Sequence, residues 1–159
     1  MSATEPPVAA ALTEAGVQHR VFVHAGPVHS LEQAAQERGQ QPDQVVRSIL
    51  FRIAEGDYVM ALVAGPAQIS WKALRRYLGQ SRLTMADRDE VKRVTGYEIG
   101  AVAPFGLPAP VRVLVDTGVV EQEEVSLGSG VRGTTVILRV ADLLPALGDV
   151  EIVDLTDAT

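Results

Sequence analysis

The sequence predicts a single α+β or mixed α/β domain, built around a largely antiparallel mixed sheet with flanking helices. Three observations support this prediction. The chain has 159 residues, which is most simply one domain with a sizeable core. Its hydrophobic fraction of 47% is typical of folded proteins. Runs of β-branched residues are mixed with separate helical segments, a pattern that favours antiparallel pairing. We expect the domain to span residues 1–159.

Helices are predicted where capping residues and glycines bracket a helical stretch. Ser30 and Gln33 have the spacing of a capping box, and Ser70 can cap a helix whose apolar residues share one face. Asp87 and Glu90 form the D-x-x-E variant of the same box. These signals predict helices at residues 6–15, 30–39, 70–79, 87–96 and 141–147.

Strands are predicted from short apolar runs bounded by turn residues. The clearest is the β-branched run at residues 45–54, which the turn at 55–57 joins to a second strand at 58–64 as an antiparallel hairpin. The remaining predicted strands lie at residues 19–23, 111–115, 124–127, 134–138 and 150–153.

Charge and composition exclude several classes of protein. The net charge of −6 argues against an extended nucleic-acid interface, although it leaves room for a partner held only at one end. The chain has no cysteine, which removes disulfides, zinc thiolate sites and thiol nucleophiles. The first residues lack a signal-peptide pattern, and no apolar run approaches the length of a membrane span. We therefore expect a cytoplasmic protein without a membrane partner.

The loop after the fourth predicted helix is the first candidate site. Its residues are small or apolar, so any chemistry there would use backbone N–H and C=O groups, which small side chains leave approachable. The alternative is an ordinary Gly/Pro turn between two elements. The loop consists of Gly100, Ala101, Val102, Ala103 and Pro104.

Arg47 is the most informative single side chain. The period of two along its strand places it on the same face as Ile49, Phe51 and Ile53, which is the apolar face. A guanidinium stays charged and is rarely buried alone. Arg47 is therefore expected either to pair with a carboxylate or to open onto a cleft that holds an anionic or carbonyl ligand. The alternative is an arginine at a strand end that reaches water.

The remaining candidates are histidines and serines. His24 and His29 flank a Gly-Pro turn without a third ligand nearby, so neither a metal nor another cofactor is predicted. Ser48 and Ser129 lack a G-x-S-x-G elbow, which argues against a Ser/His/Asp triad. Ser129 and the backbone of Gly130 can stand at a pocket wall or form a hairpin turn.

Three segments of the chain are informative when they are taken together and in order. They are Pro-Asp-Gln-Val-Val-Arg-Ser-Ile-Leu at 42–50, the spaced motif between Met85 and Pro104, and Ser-Gly-Val-Arg-Gly at 129–133. These segments resemble the YbaK/ProX family of aminoacyl-tRNA deacylases, which also forms the editing insertion of bacterial prolyl-tRNA synthetases. The resemblance runs from about residue 8 to residue 153, and residues 100–104 match the family's G-x-x-x-P motif.

The resemblance implies a trans-editing hydrolase that needs no metal and cleaves the ester of misacylated tRNA, with tRNA for proline carrying a small wrong amino acid as the expected substrate. The expected partners are the 3′ end of aminoacyl-tRNA and prolyl-tRNA synthetase. On this basis residues 100–104 orient the substrate beside His24, Ser48, Ser129 and Gly130. Arg47 stands where the family usually has lysine and is the expected catalytic residue. The alternative is a binding module that holds the same ligand without turnover.

Overall fold

The strands of the protein are divided between two sheets. The computed structural model describes residues 5–157. Residues 1–4 lie outside this part, and the expectation that the first residues lack a signal peptide depends partly on them. In chain order the strands are β1 (Arg20–Val23), β2 (Val46–Ala54), β3 (Asp57–Ala64), β4 (Thr84–Met85), β5 (Arg112–Asp116), β6 (Glu124–Gly128), β7 (Thr134–Arg139) and β8 (Glu151–Val153).

The two sheets differ in how their strands pair. One has the order β1-β7-β6 and is antiparallel throughout. The other has the order β4-β2-β3-β5-β8, in which β2 pairs antiparallel with β3 and β4, and β5 pairs parallel with β3 and β8. A bridge between Val45 and Ser126 connects the sheets. The predicted fold class and the β2–β3 hairpin are confirmed, and the structure adds the division into two sheets.

Six helices accompany the sheets within residues 5–157. The predicted caps form: Ser70 accepts from the Ala73 N–H, and Asp87 and Glu90 make the reciprocal box. None of these helices has the length and apolar character needed to cross a bilayer. The helices are α1 (Pro7–Glu14), α2 (Leu31–Arg38), α3 (Trp71–Leu78), α4 (Arg88–Thr95), α5 (Thr117–Val120) and α6 (Val140–Leu147), and a 3₁₀ turn (Pro42–Gln44) precedes β2.

The box predicted at Ser30 is only half formed. Ser30 accepts from the Gln33 N–H at 3.0 Å, but the Gln33 side chain accepts from the His29 N–H instead of returning to Ser30. The Gln33 side chain therefore fixes the turn before α2 at His29, one residue before Ser30. Neither α5 nor β4 was predicted, because four and two residues are too few to show a period.

The core lies on both faces of the five-stranded sheet, and the alternation along β2 decides which residues face which side. Val46 and Leu50 pack toward the three-stranded sheet, with Leu127 of β6. Phe51 packs on the opposite face, against Leu74 of α3. This division places a boundary between the sheets beside the start of β2.

Candidate functional site

A cleft of about 1000 Å³ opens where the two sheets meet. It is large enough for a ligand of nucleoside or aminoacyl-nucleoside size. Strand β2 borders it from one sheet, and β1, β6 and β7 border it from the other. The lining residues fall within four stretches of the chain, 23–38, 45–48, 99–102 and 127–135.

The loop 100–104 reaches this cleft with only part of its length. Gly100 and Val102 are lining residues, whereas Ala101 and Ala103 are buried in the interior. Pro104 lines a separate depression of about 310 Å³. Ala101 and Ala103 direct their side chains into the core, so within this loop Gly100 and Val102 line the cleft, and the role of the loop backbone in orienting a substrate stays a prediction.

Close backbone packing holds the loop in place. The Ala101 carbonyl accepts from the Gly130 N–H at 2.9 Å. A Cβ on Gly128 would lie 2.6 Å from the Ala101 carbonyl carbon, so β6 and the loop can approach this closely only because residue 128 is glycine. Tyr97 donates from its hydroxyl to the Phe105 carbonyl at 2.6 Å, which fixes the far end of the loop.

Ser129 and Gly130 support the loop and do not line the cleft. The Ser129 hydroxyl is buried, donates within its turn to the carbonyls of Val131 and Thr134, and accepts from the Val131 N–H. These bonds occupy the hydroxyl within its own turn, and its predicted place beside a substrate stays a prediction. The hairpin-turn alternative describes this segment.

Arg47 lines the cleft, but its guanidinium is held by backbone carbonyls. Nε donates to the Gly65 carbonyl at 2.9 Å, and one terminal nitrogen donates to the Ala67 carbonyl. In the described residues no carboxylate forms an ion pair with it, so neither a carboxylate partner nor simple exposure to water describes it. Two neutral acceptors orient the side chain without cancelling its charge. Burial lowers the pKa of Arg47 from its usual value.

Ser48 lines the same cleft from the opposite face of β2. Its Oγ is buried and has no hydrogen-bond partner in the described structure. Alternation puts Ser48 on the side of Val46 and Leu50, which faces the three-stranded sheet. A buried hydroxyl without a partner is costly, so it is a natural contact for a polar ligand group.

His24 belongs to a hydrogen-bonded chain at the cleft wall. Arg38 donates from Nε to His24 Nε2 at 3.1 Å, and His24 Nδ1 lies 2.6 Å from a carboxylate oxygen of Glu37. Because guanidinium can only donate, the network assigns His24 the neutral tautomer with its proton on Nδ1. The hydrogen bond from His24 is the largest cause that lowers the pKa of Glu37.

Two cations of the cleft were missed at the sequence level. Arg38 continues the chain by donating to the buried Ser126 hydroxyl at 2.8 Å, and Arg132 donates to the Ile99 carbonyl beside Gly100. Burial lowers the pKa of Arg38. Arg132 lies within the Ser-Gly-Val-Arg-Gly segment at 129–133, where only Ser129 and Gly130 were taken as candidates. Arg38 stands in no motif, and it is 88 residues from Ser126, so no local signal could pair them.

The lining of the cleft is cationic. Three arginines and two histidines contribute to it, and no aspartate or glutamate is among its described lining residues. In residues 5–157 no group of three or more His, Cys, Asp or Glu side chains is arranged as a metal site. The cleft is therefore suited to a ligand that carries negative charge or carbonyl groups.

Known proteins share this fold and sequence pattern. The profile of the aminoacyl-tRNA editing domain matches residues 25–146. A solved structure described as a proposed trans-editing enzyme for prolyl-tRNA synthetase superposes with a TM-score of 0.87 at 27% identity, covering 96% of both chains. A scaffold protein from an epitope-grafting design superposes with a TM-score of 0.86 at 24% identity, again over 96% of each chain, and shows the fold alone.

Curated relatives point the same way. The chain is 32% identical over 102 residues to the proline–tRNA ligase of Thermosipho melanesiensis, covering 64% of this chain and 18% of that protein. It is 30% identical over 115 residues to the proline–tRNA ligase of Trichlorobacter lovleyi, covering 72% of this chain and 20% of the relative. The chain thus spans about a fifth of the length of these relatives. The resemblance drawn from the sequence is confirmed, and this chain belongs to the aminoacyl-tRNA editing domain family.

Proposed function

We propose that this protein, as one editing domain over residues 1–159, hydrolyses in trans the ester that joins a wrong amino acid to the 3′-terminal ribose of tRNA. The proposed substrate is tRNA for proline that carries a small wrong amino acid. Family membership and the similarity to proline–tRNA ligases and to a structure described as a trans-editing enzyme support this assignment.

The observation that carries the proposal is the cationic cleft itself. In a chain with a net charge of −6, its described lining combines three arginines and two histidines with no carboxylate. A pocket of this kind can accept the 3′ end of a tRNA while the rest of the acidic surface stays clear of phosphates. It also offers Ser48 Oγ, a buried hydroxyl that lacks a partner.

The proposed reaction needs little from side chains. Water attacks the ester carbonyl carbon, the bond to the ribose oxygen breaks, and the ribose oxygen takes a proton released from the water. The backbone N–H of Val102 has no acceptor among the described hydrogen bonds, and a donor in this position can stabilise the developing oxyanion. The fixed charge of Arg47 assists electrostatically, because guanidinium cannot act as a base.

The other predicted site residues take supporting roles in this scheme. His24 and Ser48 contact the aminoacyl-adenosine end from two walls of the cleft. Gly100 leaves the loop backbone approachable. The remaining residues keep the loop in position, either as parts of the loop that face away from the cleft or as its neighbours in the next turn. They are Ala101, Ala103, Pro104, Ser129 and Gly130.

The test is ester hydrolysis on a panel of mischarged tRNAs, including tRNA for proline carrying alanine or cysteine. We expect at least one member to be deacylated well above the rate in buffer, and correctly charged tRNA to be spared. If no ester on the panel is hydrolysed faster than in buffer, the enzyme assignment is wrong.

A binding module remains the second candidate, and the fixed Arg47 side chain is the observation that favours it. A guanidinium tied to the Gly65 and Ala67 carbonyls can hold a ligand but has little freedom to follow a reaction. Such a module would bind a non-hydrolysable aminoacyl-adenosine analogue tightly and leave the corresponding ester intact. Measuring binding and hydrolysis on the same preparation separates the two functions, and prolyl-tRNA synthetase is the partner to test in either case.

A further inference from the structure

Positive charge is concentrated in one stretch of an otherwise acidic chain. Residues 71–95 contain seven basic and three acidic residues, a net charge of +4, whereas the whole chain carries −6. Four of the seven cations lie on α3 or just after it. We call these four, Lys72, Arg75, Arg76 and Arg82, the basic face.

The cations of the basic face lack carboxylate partners in the described residues. The five ion pairs between arginine or lysine and a carboxylate that are found there involve other basic side chains, such as Arg20, Arg112 and Arg139. Lys72, Arg76 and Arg82 are exposed, and Arg75 is half-buried. In a protein with an excess of acidic residues, these unpaired cations form a local patch of positive potential that can attract an anionic ligand.

The stability of α3 does not explain these charges. Lys72 stands in the first turn, where the helix dipole disfavours a cation, and that turn has no acidic residue. Lys72 is three and four residues from Arg75 and Arg76, spacings at which like charges repel on a helix surface. Only the charges of the last turn are favourable to the dipole. The helix is amphipathic, and the cations on its outer face repel one another. Binding of an anion would reduce this repulsion.

The segment that carries the basic face begins next to the cleft. The part before α3 contacts Arg47 through the Gly65 and Ala67 carbonyls, and the part after it pairs with β2 at Arg52 through Thr84. From residue 47 to residue 52 a strand rises about 17 Å. The α3 segment therefore runs along the sheet from the cleft end of β2 to its hairpin end, on the face where Phe51 packs with Leu74.

We propose that the basic face binds the phosphate backbone of the tRNA acceptor stem while the 3′ end occupies the cleft. This inference rests on the proposed function and adds the surface that the rest of the substrate contacts. Cations spaced about 5–6 Å apart on one helix face can each neutralise a phosphate. The rest of the chain, with a net negative charge, limits RNA contact to this side of the cleft.

The test compares two double variants with the same change in charge. Lys72→Gln with Arg76→Gln neutralises part of the basic face, and Arg20→Gln with Arg139→Gln neutralises two cations on the other sheet. All four side chains are exposed, so both variants are expected to fold, and glutamine is a good helix former at the two positions on α3. The probes are an uncharged transcript of tRNA for proline and a fragment consisting of the aminoacylated terminal adenosine.

We expect the basic-face variant to bind the transcript about tenfold more weakly at low salt, with the salt dependence of log Kd reduced by about 1.4–1.8. Turnover of the fragment should stay at the wild-type rate, and the control variant should match wild type in both assays. Equal weakening in both variants, or no weakening in the basic-face variant, overturns the inference. Absence of hydrolysis on every substrate would instead count against the proposed function, because transcript binding is measured without turnover.

Discussion

Arginine is used in two different ways in the cleft and at the β8 edge of the large sheet. At the edge, Arg112 donates to both carboxylate oxygens of Glu151 at 2.6 and 2.7 Å, and the Tyr77 hydroxyl donates to the same carboxylate. In the cleft, Arg47 and Arg38 bind carbonyls, a histidine and a hydroxyl. The difference shows that a guanidinium can be fully oriented without being neutralised, and the cleft keeps its positive charge in this way.

The contrast has an electrostatic consequence. The edge pair stabilises its own charges, and the hydrogen bond from Arg112 is the main cause that lowers the pKa of Glu151 to about 2. The arginines of the cleft instead lose hydration on burial, which lowers the pKa of both Arg38 and Arg47. At the edge, Glu151 already provides oxygen acceptors for Arg112. In the cleft, a ligand with negative charge or carbonyl oxygens would provide such acceptors for the arginines.

Gly128→Ala should have the largest effect, because it forces apart the loop and β6 at the cleft. Its Cβ would lie 2.6 and 2.7 Å from the Ala101 carbonyl carbon and oxygen, which are backbone atoms and cannot rotate away. We expect a loss of about 2–3 kcal/mol in the free energy of unfolding and a drop of about 100-fold in ester hydrolysis. Denaturant unfolding and a deacylation assay measure the two effects. A variant that keeps wild-type stability would show that the loop is not held by this contact.

Arg47→Ala should come next, and it should affect stability as well as turnover. Removing the side chain leaves the Gly65 and Ala67 carbonyls without their donor, at a cost of about 1–3 kcal/mol. Loss of the uncancelled charge should lower kcat/KM by about 10- to 100-fold. Arg47→Lys retains the charge and one donor group, so most of the turnover should survive. Equal activity of wild type and Arg47→Ala, per folded molecule, would remove Arg47 from the site.

Arg38→Ala should destabilise the protein by about 1–2 kcal/mol, because it leaves Ser126 Oγ and His24 Nε2 without a donor. Without the Arg38 donor, Nε2 of His24 is also free to carry the proton. ¹⁵N NMR of the imidazole can follow this change of tautomer. The wild-type spectrum should show the proton on Nδ1 at neutral pH. A wild-type proton on Nε2 would contradict the assigned hydrogen-bond chain.

Glu151→Gln should have the smallest effect, about 1 kcal/mol at neutral pH after allowance for solvent screening of this partly exposed pair. Because the folded-state pKa of Glu151 is depressed to about 2, its stabilisation is present above the unfolded value of 4.5 and is lost as the pH falls toward 2. The difference in unfolding free energy between wild type and variant should therefore shrink across that window. A difference that stays constant from pH 7 to pH 2 would assign it to packing instead of charge.

Local features of the sequence determined much of this protein. The caps at Ser70 and Asp87 form as predicted because their partners lie three residues away and need no tertiary contact. The β2–β3 hairpin follows from two apolar runs around a short turn, for the same reason. The family resemblance was visible because its motifs keep their order and spacing along the chain.

Tertiary structure alone decided how the charged groups are used. Arg47 binds carbonyls 18 and 20 residues away, and Arg38 binds a hydroxyl 88 residues away, so their partners depend on how the two sheets pack. The parity of β2 groups Arg47 with Ile49, Phe51 and Ile53, but the opposite face, with Val46 and Leu50, is buried as well, and only the position of the second sheet puts Ser48 at the cleft on that face. Period and propensity act over a few residues, whereas the charge balance of a cleft depends on side chains from distant segments.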